Sequence, residues 1–262
     1  MIISQLSTKK VICVIQARMG SSRLPGKVLA EVEGKPIIWH IYNRLKQITE
    51  ISEIVIAATD KSTDEPLKKF SEKENIGYFA GSEYDLLDRI YKTGCEFECD
   101  VLVKINADCP LIDYRLIKKG IDKFHSSKET PDLVTNCLEE TFPEGMQFGI
   151  FNFQTIKSMW LSVEGEFWRE YFYRYMLENN DKFSIINIRN KKDDSDLRWT
   201  LDFQEDLDFV REVFGKLYDR NPVFGMDEIL ELLSKEPQIG QINKKHSSKM
   251  GLNEFNNLKD NQ

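Results

Sequence analysis

Val11-Ile12-Cys13-Val14-Ile15-Gln16-Ala17-Arg18-Met19-Gly20-Ser21-Ser22-Arg23-Leu24-Pro25-Gly26-Lys27 sets a continuous apolar run directly against a loop of cations, glycines and serines. The run lacks polar alternation, so it predicts a strand over Val11 to Ala17 that is covered on both faces, as in a parallel sheet. The loop then leaves the carboxyl end of that strand, where ligands bind in open α/β sheets. Gly20 and Gly26 allow close backbone approach, and the Ser21 and Ser22 hydroxyls can donate to phosphate oxygens. Arg18 and Arg23 offer planar forks, and Lys27 a compact point charge. A solvated loop is the plain alternative, but three cations without one acid are costly there unless an anion balances them. Neither Gly-x-x-x-x-Gly-Lys-Ser/Thr nor Gly-x-Gly-x-x-Gly is present.

Working outward, short β-branched runs alternate with amphipathic segments. Helices are predicted over 36–47, 63–74, 84–97 and 114–125, with strands at 54–59, 76–80 and 101–105 between them. The second half is less regular, with strands at 133–136 and 184–188 and helices at 152–163, 167–179 and 204–218. This pattern predicts an α/β fold whose mostly parallel, mixed sheet is flanked by helices. No linker or repeat divides the chain, so a single domain is expected over residues 1–243, followed by a polar, partly disordered tail over 244–262.

Composition narrows the function classes. The chain has 262 residues, of which 41% are apolar and 30% charged, which excludes collagen-like and low-complexity proteins. A net charge of −7 argues against a general nucleic-acid surface, and no run approaches the ~18 apolar residues of a spanning helix. With no signal-peptide pattern at its start, the chain is expected in the cytoplasm, away from nucleic acid and membrane. Five cysteines without Cys-x-x-Cys spacing are expected as reduced thiols, and His40, His125 and His246 show no metal-binding spacing.

The run from Ile15 to Leu29 resembles the nucleotide-binding signature of the CTP-dependent sugar-acid cytidylyltransferases. These include the acylneuraminate and 3-deoxy-manno-octulosonate enzymes, and the resemblance is strongest to the SpsF-like spore coat polysaccharide branch. Further matches follow at Gly34-Lys35-Pro36, Gly81 to Arg89, Asn106-Ala107-Asp108-Cys109-Pro110-Leu111-Ile112-Asp113, and Asp196-Leu197-Arg198-Trp199-Thr200-Leu201-Asp202. The resemblance implies a single-domain nucleotidyltransferase fold with a Rossmann-like sheet. It also implies transfer of CMP from CTP to a sugar acid or related small acceptor, with release of pyrophosphate, for surface polysaccharide synthesis.

By the same resemblance, Gln16, Ala17, Arg18, Gly20, Ser21, Ser22, Arg23, Lys27, Gly81, Ser82, Asp85, Asp88 and Asn106 bind nucleotide. Arg18, Lys27 and Asp108 are the expected catalytic groups, and Asp108 with Asp202 the expected ligands of Mg²⁺. Structural readings stand beside these: Asp108 as a turn residue ahead of Pro110, Asp202 as the N-cap of a capping box, and Ser82 as a helix N-cap. The chain departs from the branch where the acceptor should sit, reading Phe142-Pro143-Glu144-Gly145-Met146-Gln147 in place of Tyr-Pro-x-Gly-Leu-Asp, and Arg169-Glu170-Tyr171 in place of Arg-Glu-His. Gln147, Trp168, Arg169 and Tyr171 are therefore candidate acceptor linings, although the i, i+4 spacing of this aromatic stripe also suits a helix core. A nucleotide-sugar glycosyltransferase or a non-catalytic nucleotide-binding protein of the same fold are the alternatives, and assembly as a homodimer is left open.

Overall fold

The computed structural model describes residues 9–246 and 250–260 and shows the expected alternation in its first half. Strand β1 (Val11–Gln16) leads through the cationic loop to a small hairpin, β2 (Glu31–Val32) and β3 (Lys35–Pro36), and then to helix α1 (Ile37–Leu45). Next come β4 (Glu53–Thr59), α2 (Glu65–Glu74), β5 (Gly77–Gly81), α3 (Leu86–Glu96), β6 (Val101–Asn106) and α4 (Tyr114–Ser126). The second half runs β7 (Leu133–Thr135), β8 (Gly149–Asn152), α5 (Phe153–Ser162), α6 (Glu166–Glu170), α7 (Phe172–Glu178) and β9 (Ile185–Asn187). Helices α8 (Gln204–Leu217), α9 (Met226–Lys235) and α10 (Met250–Asp260) complete it.

The main sheet has the order β5-β4-β1-β6-β8-β7-β9. Strands β5, β4, β1 and β6 are parallel, with Gln16 level with Ala57 on one side and Asn106 on the other. Strand β8 is antiparallel to both β6 and β7, and β9 is parallel to β7, so the sheet is mixed where the sequence becomes irregular. Cys13 and Ile15 of β1 pack into one core layer, and Ile12 and Val14 into the other. Burial on both faces is why this strand carries no polar alternation.

Four features differ from expectation. Strand β8 was not foreseen, because Gly-Ile-Phe-Asn is short, buried, and runs straight into α5. The helix expected over 167–179 breaks at Tyr171, whose φ of −101° and ψ of 34° leave the helical region between α6 and α7. Helix α9 was also missed; its apolar residues Met226, Ile229 and Leu232 are legible as one face only once a core lies opposite them. The polar tail contains α10, in which Phe255 is buried against Phe167, Trp168 and Tyr171, and that one aromatic contact outweighs the polar composition. Among the described residues no helix is long and apolar enough to cross a membrane.

One tight backbone contact places the end of the site. Gly145, at φ +101°, lies so close to the following segment that a Cβ would sit 2.6 Å from the Trp199 carbonyl carbon and 2.7 Å from the Thr200 nitrogen. This approach allows the Glu144 amide to donate to the Leu197 carbonyl (2.9 Å) and the Trp199 amide to the Glu144 carbonyl (2.7 Å). Leu201 in turn donates to the Asp108 carbonyl at 2.9 Å, drawing Asp202 toward the end of β6. Gly145→Ala should therefore cost about 2–4 kcal/mol in urea unfolding and impair ligand binding in the fraction that stays folded. An unchanged unfolding midpoint would mean the segment shifts freely.

Candidate active site

The cationic loop is fixed by a buried carboxylate. Asp64, 1% exposed, accepts from the Met19 amide (2.8 Å) and from both the amide and hydroxyl of Thr59 at the end of β4. The loop then folds back, with the Gly26 amide donating to the Met19 carbonyl, and Gly26 takes a φ of +71° that suits glycine. Lys27 thereby points back toward the sheet edge that its own strand left.

There Lys27 Nζ donates to Asp108 Oδ2 (3.2 Å), to Asp202 Oδ1 (2.8 Å) and to the Leu201 carbonyl (2.7 Å). Burial alone would lower the pKa of this ammonium, but Asp108 and Asp202 together raise it above its ordinary value. For Asp202 the burial penalty is likewise overcome, by Lys27 and Arg23, and its pKa falls. Both expected metal ligands and the expected catalytic lysine thus meet at one point. Asp202 is not the N-cap of α8. Phe203 holds that position, and Asp206 accepts from the Asp202 and Phe203 amides at 2.9 and 3.0 Å.

Arg198 orients Asp202 from behind. It donates to Asp202 Oδ2 (3.3 Å), to Glu144 Oε2 (2.7 Å) and to both oxygens of the fully buried Asp206, which also accepts from Asn243. Arg198 itself is 5% exposed, so these partners are what make a buried guanidinium tolerable. On the other side, the buried Lys104 donates to Asn106 Oδ1 at 2.7 Å and holds that side chain at the strand end; burial lowers the Lys104 pKa to about 8.

A cavity of about 380 Å³ opens over these groups at the carboxyl ends of β1 and β6. Gln16, Ala17, Arg18, Gly20, Ser21, Ser22, Arg23, Lys27, Asn106, Asp108 and Asp202 all line it, as do Arg89, Glu170 and Glu254. A second cavity, of about 300 Å³, shares Arg23, Asn106, Asp108 and Asp202 and continues past Glu144, Gln147, Tyr173 and Arg174. The two cavities meet at the aspartate pair.

A sequence model of the cytidylyltransferase family matches residues 12–221. The chain belongs to that family. Over 238 residues it is 26% identical to the spore coat polysaccharide biosynthesis protein SpsF of Bacillus subtilis, covering 87% of this chain and 95% of that one. It is 30% identical over 112 residues to a 3-deoxy-manno-octulosonate cytidylyltransferase of Geobacter metallireducens, 43% of each chain. A solved cytidylyltransferase from Leptospira borgpetersenii superposes with a TM-score of 0.85 at 30% identity, over 89% of this chain and 97% of the other.

Several residues expected to bind ligand in this cytidylyltransferase make contacts that hold its frame. Gly81, Ser82, Asp85 and Asp88 lie outside the lining of both cavities. Asp85 caps α3 and accepts from Arg169 Nε at 2.6 Å, while Asp88 accepts from Trp160 Nε1 and Lys92. Arg169 also donates to the Trp160 and Val163 carbonyls, so it clamps α5 to α3. Trp168 and Tyr171 pack in the aromatic cluster around Phe255; of the four expected acceptor residues, Gln147 lines the second of these two cavities. The sequence reading missed Arg89, Glu170, Arg198 and Asp206 as site residues. The one available signal was that charged residues stand inside otherwise apolar helical or strand patterns, as Lys104 does in Val-Leu-Val-Lys-Ile.

The third loop cation is partly engaged: Arg23 pairs with Asp202 at 3.2 Å and with Glu254 of α10 at 2.5 Å. Arg18 makes no hydrogen bond among the described residues. An anion entering the cavity must compete with Glu254 for Arg23. Glu254→Gln should therefore tighten pyrophosphate binding several-fold in a calorimetric titration, most clearly at low salt. Weaker binding by this variant would show that Glu254 assists the anion instead of opposing it.

Proposed function

We propose that this chain transfers CMP from CTP to a sugar acid or related small acceptor, releasing pyrophosphate, with Mg²⁺ held by Asp108 and Asp202. The observation that carries this reading is the convergence of Lys27, Asp108 and Asp202 in a cavity whose rim also presents Arg18 and Arg23. An acceptor oxygen attacks the α-phosphorus and the bond to pyrophosphate breaks, so the protein's contribution is placement plus stabilisation of charge. In this scheme Arg18 and Arg23 hold the leaving phosphates by bidentate contacts, the loop amides and Ser21 and Ser22 hold the remaining oxygens, and Lys27 neutralises charge between phosphate and carboxylates.

The donor set suits the ion. Asp108 and Asp202 converge on one cationic centre, the Lys27 ammonium, as a pair of carboxylates. Mg²⁺ prefers such a site, taking one or two carboxylates and completing its shell from water and substrate phosphates. When bound, it would supply charge stabilisation at the phosphates.

The acceptor is assigned to the second cavity, where Arg174, paired with Glu140 at 3.4 Å, offers a guanidinium to an acidic sugar. Relatedness to SpsF and to a 3-deoxy-manno-octulosonate cytidylyltransferase supports a sugar-acid acceptor and a role in polysaccharide synthesis. Screening for pyrophosphate release across four nucleotides and a panel of acidic sugars tests the reading; release of nucleoside diphosphate would instead favour glycosyl transfer.

Two variant sets bear on the roles. Lys27→Ala should lower kcat/KM by roughly a hundredfold or more, the ~3 kcal/mol typical of one such donor. A near-normal value would remove Lys27 from the chemistry. Asp108→Asn and Asp202→Asn should keep thermal stability close to the parent while losing most activity, part of which returns as Mg²⁺ is raised. Full activity at ordinary Mg²⁺ would exclude the metal role.

A further inference from the structure

Lys104 stands inside the apolar run Val101-Leu102-Val103-Lys104-Ile105 of β6 and is 8% exposed. It forms no ion pair among the described residues, and its one side-chain hydrogen bond there goes to a neutral amide, Asn106 Oδ1, at 2.7 Å. Asp108 and Glu170 attract it from beyond ion-pair range, and Arg89 repels it. An ammonium taken out of water without a carboxylate against it is costly, and an apolar residue would suit this strand position better. What the ammonium fixes is the Asn106 side chain.

Residues two apart on a strand share a face, so Lys104 and Asn106 lie on the same side of β6, with Gln16 of β1 level with Asn106 across the sheet. Burial brings the Lys104 pKa down to about 8, which leaves it an ammonium at neutral pH, with three donors and no acceptor. The Asn106 oxygen must therefore turn inward to meet it, and Nδ2 turns the other way. Asn106 is exposed and lines both cavities, and its Nδ2 makes no hydrogen bond among the described residues. Arg23, Asp108 and Asp202, the other residues common to the two cavities, are charged and already paired with Lys27 or with one another.

We propose that Lys104 is a positioning residue: by holding Asn106 Oδ1 it keeps the Asn106 Nδ2 turned to the point where the cavities meet, as a donor to an oxygen of the nucleotide's α-phosphate. This rests on the cytidylyl-transfer reading above. With the leaving phosphates on Arg18 and Arg23 and the acceptor in the second cavity, the α-phosphorus lies between them, at the shared lining. An asparagine free to rotate would offer its oxygen to that phosphate as readily as its amide, and two acceptors facing one another repel. The buried ammonium removes the wrong orientation. Lys104 lines neither cavity, so it acts on the phosphate through Asn106 alone.

Binding of CTP, CMP and pyrophosphate, each with Mg²⁺, is measured by calorimetry on the full chain, on Lys104→Met, on Asn106→Ala and on the double variant. CTP and CMP carry the α-phosphate, and pyrophosphate does not. Both single variants should bind CTP and CMP about three- to tenfold more weakly, the loss of one hydrogen bond, with pyrophosphate unchanged. The double variant should bind no more weakly than Asn106→Ala, because residues that act as one unit do not add. Met keeps the length of the lysine stem and removes the charge that burial penalises, so thermal stability should match or exceed the parent. Equal losses for all three ligands overturn the proposal in favour of a general structural role. Unchanged CTP binding in either single variant overturns it too, as do fully additive losses in the double variant. If the parent binds neither CTP nor CMP, the cytidylyl-transfer reading itself falls; parental binding with any of the overturning patterns leaves that reading standing and removes only Lys104.

Discussion

Two carboxylates from distant parts of the chain, Asp108 and Asp202, stand side by side because Lys27 places an ammonium between them. Like charges in a partly buried site repel strongly, and a shared cation is the simplest remedy. Each partner is delivered by a different device: Lys27 by a loop pinned to Asp64, Asp108 by the end of β6, and Asp202 by a segment docked against Gly145. The ion cluster therefore depends on the fold more than it sustains it, and its members are positioned for a ligand.

Behind this cluster the charges are arranged in a second tier that faces inward. Arg198 and Asp206 are almost wholly removed from solvent and bind each other, while Arg198 also touches Asp202 and Glu144. Such a buried pair adds little net stability compared with apolar packing, yet loss of one member leaves an uncompensated charge costing ~3–5 kcal/mol. What it supplies is direction: the Asp202 carboxylate cannot turn toward the start of α8, because Asp206 already satisfies the amides there. The same logic explains why Arg169, Asp85 and Asp88, charged residues in a region expected to touch ligand, are consumed in holding α3, α5 and α6 together.

The two cavities present chemically different linings along the sheet edge. The first is lined by the loop cations and by Gln16 and Asn106 at the strand ends; the second carries Arg174, Glu140 and Tyr173 from less regular parts of the chain. They share Arg23, Asn106, Asp108 and Asp202 at the junction. Helix α10 borders both, through Glu254 on one side and Leu252 on the other.

Local pattern alone determined the parallel half of this protein. The apolar runs of β1, β4 and β6, the amphipathic segments between them, and the loop from Arg18 to Lys27 are all signals whose period or spacing is complete within some ten to twenty residues. The family, and with it the expected roles of Lys27, Asp108 and Asp202, followed from the same short motifs. What only the tertiary structure decided has no such period. Strand β8 is defined by its partners β6 and β7, and Phe255 becomes a core residue only because an aromatic surface waits for it. Whether Asp85 or Arg89, Arg169 or Glu170, lines the cavity depends on which neighbour each charge finds across the chain. Hydrogen-bond satisfaction is a property of the assembled interior: it tied Arg169 to Asp85 on α3 and to the end of α5.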